Sequence, residues 1–258
     1  MERENMVKSV SRALDIITLV SLKKGGLGVT EIANQIDINK SSVYRILSTL
    51  VQYGYIEQDS ETGRYKLGYK LLEVSSKLLE SIDLRAEARP YLQELENLTN
   101  EVIHLVVYDQ GEVVYIEKLE GNETLRMHSK VGKRAPMHCT SVGKAILAYL
   151  PTNVVQDILD RKGMPMHTDK TITNKDNFLQ ELIEVRKRGY ALDTEENEYG
   201  ITCIAVPIFD HLGKVIAAVS ISGPTMRMTK ERMEKLQSQM IQIGKKISKR
   251  LGFESRII

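Results

Sequence analysis

The sequence predicts two domains: an N-terminal winged helix-turn-helix and a larger C-terminal α+β domain around a central antiparallel sheet. Three observations predict it. Three short helical patterns are followed by a hairpin pattern within the first ~65 residues. A helix without glycine or proline separates this block from the rest. Beyond it, strand and helix patterns are interspersed, which is the layout of an α+β fold. The 258-residue length allows about two domains of ordinary size. We place the boundaries at 1–68 for the head, 69–82 for the linker helix and 83–258 for the large domain.

Each element has its local reason. Residues 9–23 carry Val10, Ala13, Leu14, Ile17 and Val20 at three- and four-residue spacing, so they are expected to form an amphipathic helix ended by Gly25-Gly26. Residues 30–36 make a second helix with Ile32, Ala33 and Ile36 as its apolar stripe, and Asp37-Ile38-Asn39 makes the turn. The third helix runs from Lys40 to Tyr53, with Gly54 placed to cap it. Tyr55 to Gln58 and Arg64 to Leu67 flank a glycine-containing turn and read as a hairpin. The linker helix carries Leu71, Leu72, Ser75, Leu78 and Leu79. After it come a helix at 84–98 and strands at 102–108 and 113–119. Helices follow at 141–150, 153–162 and 176–188. Strands near 190–193, at 201–209 and at 215–222 precede a last helix at 229–251.

Composition excludes several classes. The chain is 42% hydrophobic and 27% charged, as expected for a globular protein with real cores. A net charge of +2 neither demands nor excludes nucleic acid, since a DNA reader needs only a local basic face. Two cysteines, Cys139 and Cys203, fit a reducing cytoplasm and no disulfide framework. The charged start, Met1 to Lys8, lacks the apolar core of a signal peptide, and no apolar run approaches the ~20 residues of a membrane span. A cytoplasmic location, no membrane partner and no cofactor are the expectations.

The third helix carries the sharpest signal. Val43, Ile46, Leu47, Leu50 and Val51 form its expected buried stripe. The opposite face presents Ser41, Arg45, Ser48 and Gln52, flanked by Ser42, Tyr44 and Thr49, with no acidic residue. Donors without negative charge are what a helix needs against a polyanion. The start of such a helix reaches bases, so Ser41, Ser42, Tyr44 and Arg45 are the candidate readers, with Ser48 on the same face and Lys40 on phosphate. Arg64 and Lys66 on the hairpin are candidate backbone or minor-groove contacts. Lys8, Ser9 and Arg12 are candidate phosphate contacts. A merely solvated polar face is the competing reading, and the acidic Glu57, Asp59 and Glu61 of the wing favour it unless they point away from DNA.

In the second domain, Thr140 is placed to cap a helix whose first amides, at Ser141, Val142 and Gly143, together with its positive end would hold an anion. Cys203 shares a strand face with Ala205, while Ile201, Ile204 and Val206 supply apolar contacts. Ser220 and Ser222 lie two apart, so both point to one face. Asp193 ends another strand and adds an acceptor. Taken singly, each has an ordinary explanation: a small core residue for Cys203, a carbonyl partner for Ser220, a turn cap for Asp193. Taken together they read as a site for a small carboxylate. The carboxylate would sit on the 141–143 amides with Ser220 and Ser222 donating, and Asp193 would accept from a hydroxyl or hydrate. His128, His138 and Cys139 raise a metal question, but without tight ligand spacing the favoured reading is no metal. Met127, Met137, Met164 and Met166 fit an adaptable pocket or ordinary core equally well.

The ordered set of motifs resembles the isocitrate lyase regulator (IclR) family of bacterial transcriptional regulators. Ser9-Val-Ser-Arg-Ala-Leu-Asp-Ile-Ile resembles its opening helix, Lys40-Ser-Ser-Val-Tyr-Arg-Ile-Leu-Ser-Thr-Leu its recognition helix, and Tyr65-Lys-Leu-Gly the end of its wing. Gly132-Lys-Arg-Ala-Pro-Met-His-Cys-Thr-Ser-Val-Gly-Lys-Ala-Ile-Leu-Ala resembles its effector-domain motif. Gly189-Tyr-Ala-Leu-Asp, Ile204-Ala-Val-Pro-Ile and Ser220-Ile-Ser-Gly-Pro resemble its closing motifs. The resemblance runs from about residue 6 to 252.

It implies a GAF-like effector domain, a homodimer through the N-terminal part and often a homotetramer. It also implies double-stranded operator DNA as partner and control, by repression or activation, of a catabolic operon; repression is the expectation carried forward. The implied pocket uses the amides of Ser141 and Val142 and the side chains of Asp193, Cys203, Ser220 and Ser222, and it takes a small carboxylate. Val142 is bulkier than the family's usual small residue there, so the pocket is expected to differ in size. Helix 69–82 is the expected transmission element. An enzyme using Cys203 with His138 or His104 is the alternative, but no adjacent base, oxyanion motif or nucleophile elbow accompanies the thiol.

Overall fold

Three helices build the head: α1 (Lys8–Ser21), α2 (Val29–Ile36) and α3 (Lys40–Gln52). The turn between α2 and α3 is tight because Asp37 adopts the left-handed conformation and Asn39 caps α3, its Oδ1 accepting from the Ser42 amide at 2.9 Å. Gly54, at φ 74°, stands just beyond the end of α3. Ile16, Val20, Leu27, Ile32, Val43, Leu47, Ile56 and Tyr65 form the core of this head. Two stripes differ from expectation. In α1, Val10 and Leu14 are 55% and 59% exposed, while Ile16 and Val20 are buried. In α3, Val51 is exposed. Both helices have more apolar residues than one face can hold, and the periodicity alone does not say which edge turns inward.

The wing is β1 (Ile56–Gln58) paired antiparallel with β2 (Tyr65–Leu67). Leu27 adds a bridge to Tyr65, through bonds of 2.9 and 2.8 Å in both directions. Gly68, which closes the wing motif, lies so close to the Gly54 carbonyl that a Cβ would sit 2.2 Å from its oxygen. That approach admits only glycine. Helix α4 (Lys70–Ser81) follows with no buried residue; Tyr69, Leu72, Leu78 and Leu79 are exposed.

This computed structural model describes residues 6–121 and 129–254. The chain divides into two compact units, Met1–Ile82 and Asp83–Ile258. The second unit contains α5 (Leu84–Thr99), β3 (Val102–Asp109), β4 (Glu112–Leu119), β5 (Arg134–Pro136), α6 (Ser141–Leu147), α7 (Thr152–Lys162) and α8 (Lys175–Arg188). It continues with β6 (Ala191–Thr194), β7 (Ile201–Phe209), β8 (Val215–Pro224) and α9 (Lys230–Arg250). Six strands form one antiparallel sheet in the order β5-β4-β3-β8-β7-β6. Strand β5 carries no alternation and is too short to read from sequence. Helix α6 stops at Leu147, three residues before the expected end, and Pro151 keeps the chain from resuming it by disfavouring helical geometry at Leu150.

Strand parity assigns the two faces. Ala205 pairs with Ser220, and both lie on the face covered by α6. Val206 points the other way, and Gly244 of α9 lies against it. Helix α5 packs against α9 and β3. Sheet between helices is therefore the layering, and the polar strand residues face α6.

Candidate functional site

The α3 surface has the composition expected of a reading face. Lys40, Ser41, Tyr44, Arg45, Ser48, Thr49 and Gln52 are exposed. Ser9 and Arg12 of α1 and Ser42, Arg45, Ile46 and Thr49 of α3 line one shallow groove, so the two sets of candidate contacts are neighbours in space. The hydroxyls are held in defined rotamers: Ser41 Oγ donates to Asn39 Oδ1 at 3.0 Å, and Ser48 Oγ to the Tyr44 carbonyl at 2.9 Å. Each keeps a lone pair to accept with.

Arg64 is engaged within the head. Its Nε donates to the Gly25 carbonyl at 3.2 Å, its Nη2 to the Gly26 carbonyl at 3.1 Å, and Nη2 also pairs with Glu31 at 2.8 Å. The guanidinium thus ties the wing to the loop before α2 while its side chain stays 40% exposed. Lys66 is exposed but faces Glu57 across the hairpin. Asp59 is occupied internally, accepting from Thr62 N at 2.9 Å and Glu61 N at 3.2 Å to form the wing turn.

The second unit holds a cavity of about 170 Å³ on the α6 face of the sheet. Ser141, Val142, Asp193, Cys203, Ser220 and Ser222 all line it, so residues from four elements meet as the sequence suggested. The register shows how. Asp193, Cys203 and Ser222 lie side by side across β6, β7 and β8, and Ala205, Ser220 and His104 across β7, β8 and β3. Ser141 and Val142 stand at the start of α6, where the helix leaves its first amides without intrahelical partners.

Gly143 is not part of the lining. Its amide donates to the capping Thr140 Oγ1 at 3.2 Å, and a Cβ there would fall 2.3 Å from the Met137 carbonyl oxygen. It is small so that α6 can press on the preceding turn, not so that a ligand can approach. Its amide is spent on the helix's own cap, which removes it from the candidate anion site.

His104 and Tyr115 are pocket residues that sequence reasoning missed as such. His104 is buried, with Nε2 hydrogen-bonded to Ser129 Oγ at 2.7 Å and Nδ1 at 3.4 Å from both Ser220 Oγ and Ser222 Oγ. Its ring meets Tyr115 edge-on at 4.9 Å. The available signal was parity: a histidine mid-strand, in a strand that is otherwise apolar up to Val107. Asn197 lines the cavity too, and Lys133 and Arg134 complete one side of it.

Burial sets the charge state of this cavity. Desolvation, aided by the nearby Lys118 charge, brings His104 down to about 3, so the ring is neutral. Desolvation raises Asp193 to about 7, although its Oδ1 accepts from the Glu196 and Asn197 amides at 2.8 and 3.3 Å, which favours the charged form. Burial pushes the Cys203 thiol and the Tyr115 phenol well above their usual ranges. A protonated thiol is a poor nucleophile. Cys203 therefore serves as lining, not as the attacking group the enzyme alternative required. Beneath the cavity, Lys144 Nζ pairs with Glu196 Oε1 at 2.5 Å in a buried ion pair.

The methionines divide. Met137 and Met164 belong to the core around α6, and Met166 is exposed. Met127 and His128 lie outside the described residues.

A compact helix-turn-helix head with an acid-free face on α3, chained to an α+β unit with a pocket of mixed polar and apolar lining, has the parts of a DNA-binding regulator of transcription. Two family models match the chain: the IclR helix-turn-helix domain over residues 9–60 and the bacterial transcriptional regulator IclR C-terminal domain over residues 76–249. The chain belongs to the IclR family of bacterial transcriptional regulators. It is 37% identical over 252 residues to the HTH-type transcriptional regulator KdgR of Escherichia coli (strain K12), covering 98% of this chain and 95% of that protein. It is 33% identical over 248 residues to the transcriptional repressor IclR of the same strain, covering 95% and 90%. The crystal structure of the Thermotoga maritima IclR superposes with a TM-score of 0.65 at 35% identity, covering 95% of this chain and 99% of that one.

Proposed function

We propose that this chain binds double-stranded operator DNA as a homodimer and represses a catabolic operon, with a small organic acid in the second unit's cavity switching operator affinity. Lys40, Ser41, Ser42, Tyr44, Arg45 and Ser48 meet the major groove, with Ser9 and Arg12 on phosphate and Lys66 at the wing. A relative whose name says repressor supports the sign of control. No helix among the described residues is long and apolar enough to cross a membrane, in keeping with cytoplasmic DNA as the target.

The cavity lining carries the effector reading. The first residues of α6, Ser220, Ser222 and a neutral His104 line one pocket, and burial holds Asp193, Tyr115 and Cys203 toward their uncharged forms. That environment suits one negative charge. The volume sets the scale of the ligand: a cavity of about 150 Å³ holds a molecule the size of benzene, so about 170 Å³ accommodates an acid of roughly that size, and the open side of the pocket leaves room for a longer one. Exposed Val10 and Leu14 of α1 and Leu72, Leu78 and Leu79 of α4 supply the apolar surface a second copy would cover, alone or within a tetramer. A dimeric reader needs its two heads ~34 Å apart. A coupling of ~1–3 kcal/mol transmitted through α4 changes operator affinity ~5–150-fold.

Titration calorimetry with short 2-keto and 2-hydroxy acids tests the site. The double variant Ser220→Ala/Ser222→Ala is expected to lose binding of the best acid; unaltered binding would place the site elsewhere. Fluorescence anisotropy on a duplex from the chain's own upstream region, with and without that acid, tests the switch.

A further inference from the structure

Besides the cavity, the second unit gathers a second set of chemically distinctive side chains. His138, Cys139 and His167 place one potential ligand atom each within 4.8 Å of one another. His138 and Cys139 come from the turn before α6, and His167 from the loop after α7. The sequence set aside a metal there because His128, His138 and Cys139 show no tight ligand spacing. The third member lies 28 positions beyond Cys139, and only the fold brings it alongside.

We propose that His138, Cys139 and His167 form a binding site for a first-row divalent transition-metal ion of the zinc class. Three N and S ligands with an open fourth position are a recognised coordination set for such ions. Bond lengths of ~2.0–2.3 Å in tetrahedral geometry put ligand atoms about 3.5 Å apart. Closing from at most 4.8 Å is a small movement, available to the exposed His167.

The surroundings support it. His138 Nε2 lies 3.0 Å from the Pro165 carbonyl, which can only accept, so this nitrogen carries the proton and the other keeps its lone pair. A carbonyl that fixes the ring in this way is the usual second partner of a metal-bound histidine. The loop bearing His167 is itself anchored. Thr171 Oγ1 accepts from the His167 amide at 3.1 Å and donates to the Glu196 carbonyl at 2.6 Å. Glu196 keeps one buried carboxylate oxygen, Oε2, without a hydrogen-bond partner among the described residues, and its charge is felt at Cys139. A dication beside Cys139 offsets that charge and takes up the thiolate, releasing one proton. Cys139 Sγ also reaches Asn197 Oδ1 at 3.5 Å, and Asn197 lines the neighbouring cavity.

Cobalt(II) added to the metal-free full-length chain is the test. The expected result is a thiolate-to-cobalt charge-transfer band that saturates at one ion per chain and is displaced by zinc. Cys139→Ser abolishes the band, and Cys203→Ser, which removes the other cysteine, leaves it intact. His167→Ala, a change at an exposed position, weakens affinity by more than about tenfold. Absence of the band, its survival in Cys139→Ser, its loss in Cys203→Ser, or unchanged affinity in His167→Ala each overturns the proposal.

Discussion

Raising the pH from 6 to 8 should weaken binding of a small carboxylate about tenfold, and one residue should account for it. Asp193 lines the cavity with its carboxyl raised from 3.8 to about 7, chiefly by burial. An anionic ligand is repelled by the ionised acid and tolerated by the neutral one. If only the neutral form binds, affinity scales with the protonated fraction, which falls from about 0.9 at pH 6 to about 0.1 at pH 8 for a group of this strength. The ratio is about ten. The same shift bears on folding. A carboxyl raised above its unfolded value contributes stability that is fully present below about 4 and is lost as the pH rises through about 7. A rise of this size corresponds to on the order of 4 kcal/mol. Asp193→Asn keeps an oxygen for the Glu196 and Asn197 amides but cannot ionise. Calorimetry of the tightest-binding acid across pH 6–8 should therefore show a slope in the native chain and a flat line in Asp193→Asn, and the variant should melt higher than the native chain at pH 8. A native affinity independent of pH, or a slope that survives in the variant, would refute the reasoning.

Other outcomes follow from other parts of the molecule. Arg45→Ala, at an exposed position of α3, should weaken duplex binding by about 1–3 kcal/mol in an anisotropy titration while leaving the melting temperature unchanged. Lys144→Met leaves Glu196 buried without its cation and should cost about 3–5 kcal/mol by urea unfolding, whereas adding Glu196→Gln should recover part of that loss. Gly143→Ala forces a Cβ to 2.3 Å from the Met137 carbonyl oxygen, so the variant should melt well below the native chain or fail to accumulate as folded protein. Val142→Ala opens the cavity wall and should shift the preferred acid toward larger ones in a thermal-shift panel.

Local interactions determined what the sequence could announce by itself. The order of helices and strands, the α3 stripe of Val43, Leu47 and Leu50, the Thr140 cap and the shared phase of Ser220 and Ser222 all arise within a few residues along the chain, where periodicity and capping operate. The acid-free side of α3 was legible for the same reason. The tertiary structure decided everything that depends on which segments meet. Arg64 reaches Gly25 and Gly26, nearly forty residues upstream, and Glu31 as well, because the wing folds back on the loop before α2. His104 joins Ser220 and Ser222 only through the β3–β8 pairing. Val10 and Leu14 face outward because Ile16 and Val20 already fill the core. Gly143 is reserved for close packing, and His167 reaches Cys139, because the chain between such partners can take many paths and sequence spacing does not choose among them.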